Sequence, residues 1–488
     1  MEQLLKKLNE LPELREAVSS LENGRSPVAV SGLQIAHRAA VGAAIAASMG
    51  RPAVFLCGDE QEVRRLADDL RALTGTEPVT LLGREWQFRA GAVSSRAWEQ
   101  NRLAALYALA KGKVSVCIAT ADALMTRTMP KKKLSAAAKT LKIGGRLDLN
   151  QLSDQLTAAG YTRCEQVEGV GQFAVRGGIL DVFSPLMEQP VRCELFDDEI
   201  DSLGEFDTGT QRRVKNIKSA LLLPAAEVLP HQAIGGVEGL AATLDKEAGK
   251  LEKKGRLAAA AESLRADAAR LRDGGALGGA DRYLCAVYPE EAWGLDYLPT
   301  DAVVFFSETG RVEERIKGFA LQAKQDTEVL LEAGVLAGAF SHLSMTGEEL
   351  FFRLADFPTV METSLPTSRY PIPPRALVNL TTKQLPSYGG SLETAAEDLK
   401  HYRTLGYGVL ILCGGEARAK NLLRLLEERD IPATLDLKNA AMIYIFGALI
   451  VSFGLMNLAP YVVLTLVFAY LLVAGIAIYY RCKYDKEM

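Results

Sequence analysis

The sequence predicts an α/β protein in four parts. These are a parallel, doubly wound sheet, an α+β domain inserted into it, a partial second α/β domain, and a C-terminal two-helix transmembrane hairpin. Three observations carry this. Short apolar runs alternate with amphipathic helix patterns over residues 25–120, the rhythm of βαβ units. From about residue 120 to 223 the pattern becomes strand-rich and punctuated by glycine. Residues 440–480 contain no Asp, Glu, Lys or Arg.

The chain has 488 residues, 48% of them hydrophobic and 24% charged, enough for about two to four domains with real cores. A net charge of −4 offers no global basic field for nucleic acid. Seven cysteines are scattered without a CxxC pair and there are four histidines, so no metal site and no cofactor are expected. The odd, dispersed cysteines suggest a reducing compartment. The first residues, MEQLLKKLNELPELREAV, read as an amphipathic helix without the apolar core of a secretory signal.

Strands are expected at 28–30, 54–57, 79–82 and 114–119, with helices at 35–49, 60–73 and 95–111. The strands are continuous apolar runs, as suits a sheet covered on both faces. Residues 130–152 read as a basic, loop-like domain crossing. Lys131, Lys132 and Lys133, with Lys142 and Arg146, form a local cluster that is either a solvated loop or a salt-sensitive phosphate contact. Residues 237–272 read as one or two long helices, 301–316 as strand then helix, 365–374 as a proline-rich linker, and 406–432 as a last βα unit. The expected boundaries are 1–120 and 224–364 for the sheet domain, 121–223 for the insert, 365–437 for the partial second domain and 438–488 for the hairpin with a short basic tail. The hairpin would hold two spans of about 20 residues each, with its ends on the cytoplasmic side by the flanking Lys and Arg.

A parallel sheet of this kind invites a test for a phosphate loop. On the pattern GxxxxGK[ST], Gly32 takes the first glycine, His37 the second, Arg38 the lysine and Ala39 the Ser/Thr. A side chain at His37 obstructs the backbone approach to phosphate, and Ala39 has no hydroxyl for magnesium. In VVFFSE, Ser307 stands where a magnesium-holding Asp would precede Glu308. The fold expected is therefore a helicase-like P-loop sheet with a degenerate site that does not bind nucleotide.

Two arginines lie among apolar residues of the insert. In VRCELF, Val191, Cys193 and Leu195 point one way; Arg192, Glu194 and Phe196 point the other. Arginine beside an exposed aromatic is the composition of a protein-interaction hot spot. Arg176 ends FAVRGG, where glycines let the chain bend and present it. The alternative is that Arg176 and Arg192 pair with Glu194, Asp197 or Asp198 and only tie the sheet together.

The stretches GQFAVRGGILDVFSP, VRCELFDDEIDSL and FDTGTQR resemble the bacterial transcription-repair coupling factors (Mfd), in the module those factors share with the excision-repair protein UvrB. REWQFR, SSRAWEQNRLAALYAL, IATADALMTRTMP, QLPSYGGSLETAAEDLKHYRTLGYGVLILCGG and the degenerate P-loop fall in the family's order, so the resemblance covers residues 1 to about 437. It implies that the insert is a UvrA-binding domain in which Arg176, Arg192 and Phe196 contact UvrA. UvrB's working P-loop and its damage-clamping hairpin are both missing from this pattern.

The resemblance also implies what to expect beyond residue 437. Family members continue into a polymerase-binding domain and an ATP-driven translocase, through which they meet RNA polymerase and DNA. Here the sequence turns apolar instead, at about Lys438. The expectation is a cytoplasmic, non-catalytic UvrA-recruiting module, truncated before the motor, with 440–480 as a candidate inner-membrane anchor. The break reads as a fusion, a frameshift or a chimera. Two other readings stay open: an ATP-dependent helicase- or translocase-like enzyme, and a membrane-tethered adaptor.

Overall fold

The computed structural model describes residues 5, 7–89, 97–253, 258–382, 391–407, 409–412, 416–436 and 442–445. After a helix at Pro12–Glu22 come β1 (Val28–Ser31), the helix Ile35–Met49, β2 (Ala53–Cys57), the helix Glu60–Thr74, β3 (Val79–Leu81), the helix Ala97–Ala110 and β4 (Val116–Thr120). The chain then leaves this sheet. It forms β5 (Lys139–Lys142), the helix Leu149–Ala158, β6 (Thr162–Arg163), β7 (Gln172–Arg176), β8 (Ile179–Val182), β9 (Val191–Phe196), β10 (Glu199–Phe206), β11 (Arg213–Asn216) and β12 (Ser219–Leu222). The helices Gly236–Lys253 and Ala258–Arg272 lead back to β13 (Val303–Phe306), the long helix Thr309–Glu332, β14 (Thr359–Thr363) and β15 (Ala376–Asn379). Last come β16 (Val409–Leu412), the helix Glu416–Glu427, β17 (Ala433–Asp436) and β18 (Met442–Ile445).

The main sheet has seven strands in the order β15-β1-β14-β13-β2-β4-β3, every pair parallel. Its central strands are buried end to end, as suits their mostly apolar composition, although β14 also buries Thr359, Glu362 and Thr363. Alternate residues feed two cores. Val54, Leu56, Val304 and Phe306 join one; Phe55, Cys57, Val303 and Phe305 join the other. Phe55 and Phe305 stack with centroids 4.8 Å apart. Gly42 lets the helix Ile35–Met49 close on that stack, since a Cβ there would lie 2.5 Å from the Phe55 ring.

The inserted domain is a six-stranded sheet, β11-β10-β9-β8-β7-β6, antiparallel except for the β6–β7 pair, with β5 and β12 forming a separate ribbon. Residues 130–152 are more ordered than the basic composition suggests. They contain the helix Lys131–Ala137, β5 and the start of the helix Leu149–Ala158. Leu134 and Leu141 anchor the first two in the cores, while the lysines between them stay outside or lie along the surface.

The C-terminal end corrects the expectation of a transmembrane hairpin beginning at 440. Met442–Ile445 is a strand, placed between β16 and β17 and antiparallel to both. An apolar run is equally suited to a strand, and here its backbone pairs two edges that would otherwise be open. The βα unit at 406–432 therefore has a partner strand along one side of β16. Among the described residues no helix is long and apolar enough to cross a membrane. The remainder of the expected hairpin, 446–480, lies outside the described residues.

Both crossings between main sheet and insert converge on Glu227. Its carboxylate accepts hydrogen bonds from the Thr128 hydroxyl and, at 3.1 Å, from Met129 N–H, on the outgoing crossing. Its own N–H, on the return, donates to Glu99 Oε1 at 2.7 Å. Arg84 pairs with it, and Arg102 Nε approaches to 3.7 Å. All three charged side chains are buried. Burial pushes the Glu227 carboxyl up, but Arg84, Arg102 and the two hydrogen bonds outweigh it and hold it below the usual carboxylate range. Replacing Glu227 with Ala leaves two buried guanidiniums short of a counter-charge. Denaturant unfolding should show a loss of about 3–5 kcal/mol; a loss under about 1 kcal/mol would show that the clasp is not structural.

Candidate protein-interaction site

The register of three antiparallel strands builds the site. β7 and β8 form a hairpin through Gly177, whose φ of 57° suits the tight turn. Cross-strand pairing sets Ala174 opposite Asp181, and Asp181 opposite Arg192. Arg176 and Glu194 both lie opposite Ile179. Residues two apart share a face, so Arg176, Asp181, Arg192, Glu194 and Phe196 fall on one side of the sheet. Phe173, Leu180, Val182, Val191 and Cys193 fall on the other, in the domain core.

On this outer face one carboxylate holds both arginines. Arg192 donates from Nε to Asp181 Oδ1 at 2.7 Å and from Nη2 to Oδ2 at 2.8 Å. Arg176 Nη2 donates to the same Oδ2 at 2.8 Å. Asp181 is 1% exposed, whereas the side chains are 19% exposed at Arg192 and 52% at Arg176. The Arg192 guanidinium lies over the Phe206 ring, 4.6 Å from its centroid, and Nη1 donates to Gln211 O at 3.2 Å. The hydrogen bonds to Asp181 raise the Arg192 pKa further above its usual value. Phe196, at the end of β9, is 80% exposed. The arrangement can present a fixed cationic patch, with the exposed Phe196 farther along β9 on the same face, beyond Glu194.

The pairing differs from the bland alternative the sequence offered. Glu194 pairs with Arg213 at 3.0 Å, and Asp198 approaches Arg146 at 3.8 Å. Asp181 is the residue that sequence reasoning missed. Its only signal is a charged residue at a central position of the ILDV strand; knowing that it faces Arg192 requires the hairpin register.

The region around Gly32 is organised differently, as an internal lock. Gly32 has φ 87°, and a Cβ there would meet Leu380 O at 1.8 Å. The strand following the linker thus lies where the loop would open, and the Thr382 hydroxyl donates to Gly32 O. His37 is buried and its Nδ1 accepts from Gln34 N–H at 3.2 Å. Burial, then the nearby Arg38 charge, lowers its pKa to about 4, so it is neutral at physiological pH. Arg38 turns inward. It donates to Glu62 Oε1 at 3.0 Å, to Glu308, to Ser364 Oγ at 2.9 Å and to Leu33 O at 3.3 Å. Ser307 donates to Glu62 at 2.7 Å. Ala39 is fully buried in the helix. The residues at the phosphate-loop and acidic-motif positions are thus brought together; Arg38, Ser307 and Glu308 are engaged with one another and with Glu62, while His37 Nε2 has no hydrogen-bond partner among the described residues.

Glu362, at the end of β14, is fully buried beside this lock, and among the described residues neither carboxylate oxygen has a hydrogen-bond partner. Burial pushes its pKa well up, Arg38 opposes that, and Glu62 and Glu308 add to it. Of the three lysines, only Lys132 is exposed. Lys131 Nζ lies 5.6 Å from the Tyr297 ring centroid, and Lys133 Nζ donates to Gln232 O at 2.9 Å.

Residues 140–227 match the family model of the UvrB interaction domain, so the face just described belongs to a domain of that class. Beyond it, the chain is similar to transcription-repair-coupling factors. It is 25% identical over 450 residues to that of Bacillus subtilis (strain 168), covering 89% of this chain and 37% of the relative. The factor of Staphylococcus aureus (strain MRSA252) is 26% identical over 347 residues, covering 69% of this chain and 29% of the relative. That of Staphylococcus haemolyticus (strain JCSC1435) is 27% identical over 343 residues, with 70% and 29% covered. The chain thus spans about a third of the length of the curated relatives it matches. Its described part is a module like the N-terminal module of these factors.

The raised pKa of Glu362 fixes the sign of a pH effect. The folded state keeps a proton that the unfolded chain releases, so stability falls as pH rises above the ordinary carboxylate range. Glu362→Gln removes that dependence. Its advantage over the parent should be small near pH 4.5 and grow by up to about 1.4 kcal/mol per pH unit until Glu362 itself ionises. Unfolding titrations at several pH values check this; a constant difference would contradict it.

Proposed function

We propose that this chain is a UvrA-recruiting module of the transcription-repair coupling type, acting in transcription-coupled nucleotide excision repair by recognition and without catalysis of its own. The observation that carries the reading is the Arg176–Asp181–Arg192 cluster, with the exposed Phe196 on the same face of β9 beyond Glu194, in a UvrB interaction domain. An arginine held in place next to an exposed aromatic is what a hot spot is made of. Arg176, Arg192 and Phe196 are the residues assigned to UvrA contact. The described residues around Gly32, His37, Arg38, Ala39, Ser307 and Glu308 are assigned a scaffold role. Arg38, the one cation at the lysine position, is engaged by Glu62 and Glu308 and is not turned toward a ligand. RNA polymerase and DNA are partners of the longer relatives' further domains on this reading, not of the module described.

Two outcomes are expected. In calorimetric titration against UvrA, Arg192→Ala and Phe196→Ala should each weaken binding by about 2 kcal/mol or more, roughly thirtyfold, with circular dichroism unchanged. Parent-like affinity in both variants would remove the assignment. Titration with magnesium–ATP should give no saturable heat, and Arg38→Lys should not create any. Tight magnesium-dependent binding by the parent would instead favour a nucleotide-driven enzyme.

A further inference from the structure

We propose that Asp181 is the positioning residue of the recognition face: it touches no partner itself, but sets both arginines in the geometry a partner reads. The inference rests on the UvrA-binding reading of this face.

Asp181 is buried under the two guanidiniums and is the one acceptor they share. The two arginines do not stand alike on it. Arg192 gives Asp181 two parallel hydrogen bonds, gives a third to Gln211 O, and lies on the Phe206 ring. Its fork is fixed on three sides. Arg176 gives Asp181 one nitrogen and keeps the rest of a half-exposed guanidinium directed outward. One carboxylate against two guanidiniums leaves a net charge of +1 on the patch. A long side chain normally loses rotamer freedom when a partner immobilises it. Here much of that freedom is already lost in the free protein.

Gln211 is part of the same device. It has φ 57°, and its side chain donates to Thr208 O at 2.8 Å, which fixes the turn whose carbonyl receives Arg192. A purely structural carboxylate would do no more than offset the repulsion of two neighbouring cations. A positioning carboxylate makes its contribution to binding through the arginines alone, and this difference is measurable.

The test titrates the whole chain against UvrA. Asp181→Asn keeps the shape and removes the charge. It should weaken binding at least about fivefold; some loss of stability is expected with it, so titration is done below the variant's melting temperature, with circular dichroism showing the fold kept. In an Arg176→Ala/Arg192→Ala background, Asp181→Asn should have no further effect on affinity. If Asp181→Asn fails to fold, Arg192→Lys serves in its place. It keeps the charge but loses the fork, and should bind nearly as weakly as Arg192→Ala. Parent-like affinity in Asp181→Asn, an equal loss in both backgrounds, or parent-like affinity in Arg192→Lys would each overturn the proposal while leaving UvrA binding intact. Absence of binding by the folded parent would remove the underlying reading and this inference with it.

Discussion

The structure depends on returning a large insertion to the place it left. The chain departs from the main sheet after β4 (Val116–Thr120) and next joins it at β13 (Val303–Phe306), passing Glu227 on the way back. Such a junction would be loose if only loops joined it. Instead the carboxylate of Glu227 takes hydrogen bonds from the outgoing crossing while its backbone N–H is held by Glu99 and its carbonyl by the Tyr288 hydroxyl, at 2.9 Å. Arg84 reaches the same carboxylate and also Asp281, at 2.6 Å, so segments far apart in sequence meet at one buried ionic centre. Buried ions are costly unless each is paired, and breaking one partner exposes that cost in full. The clasp therefore fixes where the inserted domain sits and which way its outer face looks.

Two polar clusters in the protein show opposite uses of arginine. At Arg38 the guanidinium is turned into the molecule, where Glu62, Glu308 and Ser364 consume its donors and tie the strand ends of the sheet together. At Arg176 and Arg192 the carboxylate is the buried member and the guanidiniums lie above it, toward solvent. The first arrangement serves cohesion. The second leaves positive charge at the surface, braced from below, with Phe196 exposed nearby. One site has closed on itself, and the other face remains open.

Much of this was legible in the sequence. Continuous apolar runs placed five strands of the main sheet but not β14 or β15, the latter lying in the stretch read as the partial second domain, and the alternation in VRCELF put Arg192 and Phe196 opposite the core residues Val191 and Cys193. The broken phosphate-loop pattern was readable because the changes at His37 and Ala39 each remove a definite physical capacity, the close backbone approach and the magnesium-binding hydroxyl. Pairing was not legible. Asp181 meets Arg192 through strand register, and Glu227 meets Thr128 across a separation of 99 residues, which no local pattern encodes. Arg38 found its partners in the helix Glu60–Thr74 and just past β13 and β14 for the same reason. Periodicity also failed where composition had two meanings. A lysine-rich run became a helix because Leu134 could be buried, and the apolar Met442–Ile445 became a strand because two edges needed pairing.

The central claim is that the outer face of β7, β8 and β9 is where the partner binds. Hydrogen exchange of the whole chain, with and without UvrA, tests it most directly, since it surveys all segments without altering any residue. The account predicts that added UvrA slows exchange in the peptides covering residues 172–206 and leaves those covering residues 28–39 and 303–312 unchanged. Protection confined to the main sheet, with residues 172–206 exchanging as in the free protein, would contradict it.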